Sequence, residues 1–223
     1  AATGDIGILM AAVRGLETTA DRKTALLRHI WRPKRFRALL DRFSGRAAVP
    51  PARAQMLEKL VSDTPEALIA AAGSHIGLRT PEDIAGRVAA LIADAATQPI
   101  AAQQAAVLYD LLGLQAPAEA ALAHLRGITP LLPAISPAVD RFARRLTALA
   151  ARGIDVTSLP FEASHGRTSL EYYDGFVFSF HGPADLPPIA SGGRYDALTA
   201  VLGQGGSIPA VGGVIRPELV TRL

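Results

Sequence analysis

The spacing of hydrophobic residues changes near Gly153, and this change limits the possible fold more than any other feature of the sequence. Before Gly153, apolar residues recur three or four positions apart, as they do in amphipathic helices. After it, β-branched and aromatic residues occur in short runs, as they do in strands. The sequence therefore predicts an α+β fold in which a long helical part precedes a small sheet.

Start and stop signals divide the helical part into separate segments. Asp5 and Thr19 are placed to cap the first two helices, and Thr80 precedes a Pro-Glu-Asp run typical of a first helical turn. Gly45 is placed to end a helix that begins near Pro33. Helices are predicted at 6–14, 20–31, 33–43, 56–61, 81–92, 103–112, 117–125 and 137–151, and Thr64 is placed to open a further helix.

Four strands are predicted after Gly153, at residues 154–161, 171–180, 188–191 and 210–215. Their connections are short, which favours antiparallel pairing. Side chains alternate between the two faces of a strand. We therefore expect Glu171 and Tyr173 on one face of the second strand and Tyr172 on the other.

Composition excludes several kinds of site. The 223 residues include no cysteine, which excludes disulfides, thiolate metal sites and a cysteine nucleophile. No apolar run reaches the roughly 18 residues that span a bilayer, so no membrane contact is expected. No phosphate-binding P-loop occurs, and we expect no cofactor. The histidines lack the spacing of metal ligands, so no metal site is expected and each is predicted to be a surface or packing residue: His29, His75, His124, His165 and His181.

The densest basic run covers residues 28–37. Clustered arginine and lysine side chains can neutralise the phosphates of a nucleic acid. The same run can also be the solvated face of a helix and turn. Trp31 and Phe36 are typical packing residues and Asp41 offsets part of the charge, which favours the second interpretation. We expect no nucleic-acid partner.

The candidate binding residues begin with an acid and two tyrosines, Glu171, Tyr172 and Tyr173. A carboxylate can pair with an ammonium group or an imidazole N–H, and a phenol can donate to or accept from a ring nitrogen. No nucleophile is predicted among these residues, and no catalytic residue is expected. The alternative is a half-buried strand whose aromatic residues belong to the core, and spacing alone favours that alternative.

A second segment favours ligand binding over the core-strand interpretation. Gly192 and Gly193 end an apolar strand, where adjacent glycines indicate close approach of the backbone to another group. Arg194 and Asp196 flank Tyr195 and can form an ion pair with each other. Together with the tyrosines some twenty positions upstream, this segment indicates a site for a small zwitterion.

The motifs resemble those of histidyl-tRNA synthetases. Residues 170–178 are similar to the signature of that family, 191–196 to its Gly-Gly-Arg-Tyr-Asp segment, and 209–215 to the strand that opens class II motif 3. The resemblance implies part of a class II synthetase core, with an antiparallel sheet, flanking helices and a large all-helical insertion. It assigns residues 1–15 to the tail of the core, 16–125 to the insertion and 126–223 to the C-terminal part of the core. It also implies L-histidine binding by Glu171, Tyr172, Tyr173, Gly192, Gly193, Arg194 and Tyr195.

Two positions depart from the synthetase pattern. Thr168 stands where these enzymes carry a catalytic arginine, with Arg167 one place earlier, and Leu219 replaces the motif 3 arginine that holds ATP phosphates. Loss of both cations removes positive charge that adenylate formation needs. The residues near Arg216 are similar to a paralogous family, the regulatory subunit of ATP phosphoribosyltransferase.

That second resemblance implies a non-catalytic regulatory subunit that is required for the first step of histidine biosynthesis and conveys feedback inhibition by histidine. It implies a cytoplasmic hetero-oligomer with the short catalytic subunit of ATP phosphoribosyltransferase, and a homodimer within that assembly. Two alternatives stay open: a fragment of an active histidyl-tRNA synthetase, or a helical interaction module whose sheet is only a scaffold. The first residue is Ala1 rather than Met, and we expect an N-terminally truncated chain that binds histidine weakly.

Overall fold

The computed structural model describes residues 1–71, 79–166, 171–183, 186–203 and 205–221. Within these ranges most helices come first and most strands last, as the change of spacing predicts. In chain order the elements are β1 (Ala2–Asp5), α1 (Ile6–Gly15), α2 (Ala20–Arg28), α3 (Pro33–Phe43), α4 (Pro51–Ser62), α5 (Pro65–Ala71), α6 (Pro81–Ala96), α7 (Ala102–Gly113), β2 (Gln115–Pro117), α8 (Ala118–Ile128), α9 (Ser136–Ala150), β3 (Pro160–Glu162), β4 (Phe176–Phe180), β5 (Ala190–Arg194), α10 (Asp196–Leu202), β6 (Val211–Ile215) and α11 (Pro217–Val220). Two 3-10 turns, Thr129–Leu131 and Pro133–Ile135, connect α8 to α9.

The strands form one sheet in the order β2-β3-β1-β4-β5-β6. Four neighbouring pairs are antiparallel, and β1 pairs with β3 in parallel. The α+β prediction is confirmed, although the sheet is mixed rather than wholly antiparallel. The parallel pair is possible because α1 to α9 separate β1 from β3, and only a long crossover brings two strands together in the same direction.

The predicted strands differ from the observed ones in their limits. The last prediction, 210–215, is confirmed as β6, and the third is displaced toward the C-terminus as β5. The first prediction, 154–161, is wrong before Pro160. There the Asp155 carboxylate accepts the Thr157 N–H at 2.9 Å and the Ser158 hydroxyl at 2.5 Å. Such local bonds compete with strand pairing and stabilise a turn.

The helix caps were predicted correctly. The Asp5 carboxylate accepts the Gly7 N–H at 3.0 Å, and the Thr19 side chain accepts from the backbone of α2. Thr80 and Asp83 form a reciprocal capping box at the start of α6. Gly45 follows α3 with φ of 72°, a conformation that glycine adopts at little cost.

One hydrophobic core joins the helical part to the sheet. It includes buried residues of α1, α2, α3, α7, α8 and α9. On the sheet side, Phe142 of α9 stacks on Phe161 of β3 with ring centroids 4.6 Å apart. The span 16–125, predicted as an all-helical insertion, contains one short strand, β2, which pairs with β3. The limits of that insertion stay a prediction.

The basic run at 28–37 packs as the second interpretation predicts. Phe36 is fully buried and Trp31 packs half-buried against the core, whereas Lys34 and Arg37 are exposed. None of the helices in the described ranges combines the length and the hydropathy that crossing a bilayer requires.

Candidate functional site

Three tyrosine rings meet at one end of β4 and β5. Tyr172 lies 4.6 Å from Tyr173 and 5.6 Å from Tyr195 between ring centroids, and Tyr173 lies 6.3 Å from Tyr195. We call these three residues the tyrosine cluster. Tyr173 is 5% exposed and Tyr172 is 40% exposed, with Tyr195 in between. The cluster therefore offers both a buried and an accessible phenol to a ligand.

The predicted alternation of the first site segment is wrong, because β4 begins only at Phe176. Glu171 and Tyr172 lie in a turn, so neighbouring side chains do not take opposite faces. The Tyr172 hydroxyl instead lies 3.5 Å from that of Tyr173. Glu171 is exposed next to them and forms no hydrogen bond or ion pair with residues in the described ranges. Its carboxylate is therefore free to meet a cation.

Two aspartates hold the tyrosine cluster together through the backbone. The Asp174 carboxylate accepts the N–H groups of Asp196 and Ala197 at 3.1 and 2.5 Å, and so caps α10. The Asp196 carboxylate accepts the Ala210 N–H at 2.9 Å. The turn that carries Tyr172 and Tyr173 is thereby fixed to the segment that carries Tyr195. Asp174 was part of the motif but was not predicted as a site residue.

Glycines let the tyrosine rings lie directly on the strands. A Cβ atom on Gly193 would lie 2.7 Å from Cδ1 of Tyr173 and 2.7 Å from the Phe176 carbonyl oxygen. A Cβ atom on Gly212, the partner of Gly193 in β6, would lie 2.9 Å from the Tyr195 hydroxyl. The prediction of close approach at Gly193 is confirmed, and the approaching groups are the tyrosines themselves.

Gly192 and Arg194 lie on the opposite face of the sheet, because residues of β5 alternate. A Cβ atom on Gly192 would lie 2.7 Å from the Phe178 ring. Arg194 pairs with Asp196 at 2.6 Å, as predicted. Of the seven predicted binding residues, the structure thus brings together the tyrosine cluster and Gly193, leaves Glu171 exposed beside them, and separates Gly192 and Arg194.

A charged cavity of about 730 Å³ occupies that opposite face. Arg145 of α9 pairs with Asp5 at 2.9 Å and lies 4.3 Å above the Phe176 ring. Burial lowers the pKa of the Arg145 guanidinium, although Asp5 opposes this shift. These contacts hold α9 against the sheet and lie in the wall of the cavity. Its lining residues are Asp5, Arg141, Arg144, Arg145, Asp174, Gly175, Phe176, Arg194, Asp196 and Val211.

Burial raises the pKa of Tyr173 to about 12, and the hydrogen bond from Tyr172 and the nearby phenols act in the same direction. The Tyr173 hydroxyl is therefore protonated at neutral pH. A protonated phenol can donate one hydrogen bond and accept others. It can accordingly address either nitrogen of a neutral imidazole.

Two histidines that were predicted to be packing or surface residues share a hydrogen-bond partner. The Ser179 hydroxyl lies 2.9 Å from Nε2 of His165 and 2.7 Å from Nε2 of His181. Ser179 lies on the same face of β4 as Val177, which contacts the Gly193 side of β5. Burial lowers the pKa of His165, Glu162 raises it and His181 lowers it. The sequence did not predict this cluster of one serine and two histidines, because its members are separated by up to 16 positions.

No group of three or more histidine, aspartate or glutamate side chains in the described ranges is arranged to hold a metal ion. Leu219, which the motif resemblance aligns with the motif 3 arginine, is 6% exposed in α11. A buried leucine cannot present positive charge to a phosphate. Arg167, Thr168 and His75 lie outside the described residues.

Comparison with known proteins places the chain among synthetase-like sequences. The model of the histidyl-tRNA synthetase family matches residues 84–220. An ATP phosphoribosyltransferase regulatory subunit of Sinorhizobium medicae is 37% identical over 158 residues, covering 70% of this chain and 41% of the relative. The corresponding subunit of Allorhizobium ampelinum is 35% identical over 135 residues, covering 60% of this chain and 36% of the relative. The chain thus spans about two fifths of the length of these relatives.

Solved structures share the fold. An ATP phosphoribosyltransferase regulatory subunit/histidyl-tRNA synthetase from Bacillus halodurans superposes with a TM-score of 0.55 at 18% identity, over 99% of this chain and 43% of that one. A histidyl-tRNA synthetase from a Nostoc species superposes with a TM-score of 0.54 at 15% identity, over 100% of this chain and 41% of that one. At such low identity the likeness is one of fold.

Proposed function

Because the chain belongs to the histidyl-tRNA synthetase family, we propose that it is the histidine-sensing part of a non-catalytic ATP phosphoribosyltransferase regulatory subunit. The observation that carries this proposal is the contrast between two sites. The tyrosine cluster is assembled on glycine-rich strands, whereas the motif resemblance places Leu219, which is buried, where synthetases carry the ATP-binding arginine. A ligand pocket without the cations of adenylate chemistry suits a sensor. The names of the curated relatives support the same conclusion.

The ligand of the tyrosine cluster is L-histidine in this proposal. Glu171 meets a cationic group of histidine, while Tyr173 and Tyr195 address the imidazole through their hydroxyls. Gly193 contributes by letting the Tyr173 ring lie on β5. Arg194 does not contact histidine in this proposal, because its ion pair with Asp196 lies on the other face of the sheet. Gly192 does not contact histidine either, and it contributes by letting the Phe178 ring pack on β5.

The partner is the short catalytic subunit of ATP phosphoribosyltransferase, in a cytoplasmic hetero-oligomer that contains a homodimer of the regulatory chain. The assembly performs the first step of histidine biosynthesis, and histidine inhibits it by feedback through the regulatory subunit. Coupling of this kind is reciprocal in binding. If histidine changes the binding equilibrium of the catalytic subunit by some factor, the catalytic subunit changes the affinity for histidine by that same factor. The proposal includes no cofactor.

The test uses a protein of the relatives' full length that contains this chain, assembled with the short catalytic subunit. We expect Glu171→Ala to raise the histidine concentration for half inhibition by about tenfold or more, since hydrogen bonds to charged groups contribute about 1.5–3 kcal/mol. Glu58→Ala, which removes an exposed carboxylate from α4, is the matched control and should leave inhibition unchanged. Unchanged inhibition in the Glu171 variant would contradict the assignment of the site.

A second candidate function is that of an active histidyl-tRNA synthetase fragment, which the family match favours. Leu219 argues against it. An aminoacylation assay on the same full-length protein separates the two functions, because only the synthetase attaches histidine to its tRNA. Stimulation of the catalytic subunit without aminoacylation supports the regulatory proposal.

A further inference from the structure

Three arginines converge on one aspartate between α2, α3, α4 and α6. The Asp94 carboxylate accepts from Nε of Arg22 at 2.6 Å and from Nη2 of Arg53 at 2.8 Å. Nη2 of Arg42 lies 3.8 Å from the same carboxylate, within ion-pair range but beyond a hydrogen bond. One carboxylate therefore faces three guanidinium groups, and positive charge is in excess.

The arginines differ in how completely they are bonded. Arg22 is 7% exposed, and its remaining nitrogens donate to the carbonyl oxygens of Asp94, Thr97 and Gln98. Its hydrogen bonds join α2 to the end of α6, which is a structural role. Arg42 is different, because its Nε atom is buried and has no hydrogen-bond partner among the residues that the structure describes. A buried donor without a partner is costly, and a bound acceptor would remove that cost.

A cavity of about 490 Å³ opens beside these side chains. Four arginines and two aspartates line it, which gives a formal charge of 4 − 2 = +2. Arg87 of α6 is among them, is exposed, and forms no ion pair within the described part of the chain. The cavity also has an apolar wall that includes Ala25 and Leu91.

We propose that this cavity binds the phosphate group of a small phosphorylated metabolite. A phosphate dianion matches the charge of the cavity, and its oxygens can accept from the exposed part of the Arg42 guanidinium, whose side chain is 37% exposed, and from Arg87. Asp94 stays bonded to Arg22 and Arg53 and keeps the cluster assembled. The apolar wall suits the organic part of the ligand, and the concave shape favours a small molecule over a nucleic-acid backbone.

The surroundings of Arg42 disfavour its charged form, and burial is the main cause. Burial lowers the pKa of its guanidinium, Asp94 raises it, and Arg53 and Arg22 lower it again. The alternative is that Arg42 only packs on the Phe43 ring, which lies 4.6 Å from its Cζ atom. That contact occupies the face of the guanidinium and leaves its Nε–H without an acceptor.

The test titrates the 223-residue chain with inorganic phosphate, then with glycerol phosphate, at constant ionic strength in a chloride buffer. Binding is followed by calorimetry and by thermal melting. We expect saturable binding, and a rise of about tenfold or more in the apparent dissociation constant for Arg42→Gln. Arg87→Gln should weaken binding as well, and because Arg87 is exposed this variant does not endanger folding. Arg126→Gln, an exposed arginine on α8, is the matched control for net charge.

The outcomes separate clearly. Saturable binding that both cavity variants weaken and Arg126→Gln does not would establish the site. Absence of saturable binding in the unmodified chain would overturn the proposal, as would equal titration curves for all three variants. Binding of a short RNA duplex that depends on Arg42, with no response to either phosphate probe, would overturn the small-molecule assignment in favour of a nucleic-acid surface.

Discussion

Replacement of Gly193 by alanine tests whether the Tyr173 ring really lies against β5. The added Cβ atom would stand 2.7 Å from the Phe176 carbonyl oxygen, 2.7 Å from Cδ1 of Tyr173 and 2.9 Å from Cγ1 of Val177. The first neighbour is backbone of the paired strand β4, so the backbones of β4 and β5 must shift apart locally in addition to movement of the ring and the valine. Gly193 does not adopt positive φ, which leaves the steric clash as the main cost.

Overpacking of this kind costs about 1–3 kcal/mol. The lower chain entropy of alanine in the unfolded state offsets about 0.4–1 kcal/mol of it. We therefore expect Gly193→Ala to lower the free energy of unfolding by about 1–2 kcal/mol. Urea denaturation followed by far-UV circular dichroism measures this change, and the near-UV tyrosine signal reports displacement of the rings.

Gly86→Ala is the matched control, because a Cβ atom at this position in α6 would meet no atom within 4 Å. It should raise the free energy of unfolding by about 0.5–1 kcal/mol, as expected for glycine to alanine inside a helix. If Gly193→Ala is as stable as the unmodified chain and keeps its near-UV signal, the reasoning about close packing at the tyrosine cluster is refuted.

Three further predictions concern single groups. Asp5→Ala should lower the free energy of unfolding by about 3–5 kcal/mol, because it leaves the Arg145 guanidinium without its buried partner. Asp5→Asn should lower it less, and equal urea midpoints for the two variants would refute this prediction. Alkaline absorbance titration should show an ionisation near pH 12 that is lost in Tyr173→Phe, in addition to the ionisation of Tyr109, whose pKa burial also raises. Since the pKa of Tyr173 is raised in the folded state, the stability that it contributes is lost as pH rises from about 10 toward 12, and titration curves that coincide near pH 12 for the two proteins would contradict this. Thr80→Ala should lower stability by about 1 kcal/mol through loss of the capping box at α6, and an unchanged melting curve would show that this helix end does not limit stability.

Local signals predicted much of the helical part. Caps at Asp5, Thr19 and Thr80 act through hydrogen bonds to residues two or three positions away, so their effect can be seen in the sequence. Strand limits were less accurate. The start of β4 at Phe176 depends on Asp174, whose carboxylate caps a helix 22 positions downstream, and no local pattern shows such a bond.

The sequence by itself determined that most helices precede most strands, where the capped helices begin, and which residues resemble a histidine site, because these depend on spacing and on neighbours along the chain. It did not show β1 and β2, which are short strands in the helical part. Only the tertiary structure decided which of those residues meet. It placed Tyr173 against Gly193 and Tyr195 against Gly212. It turned Arg194 to the other face, because β5 extends through Arg194 and consecutive residues of a strand face opposite ways. It also brought three arginines to Asp94 across separations of 41 to 72 positions, which only the packing of four helices can do.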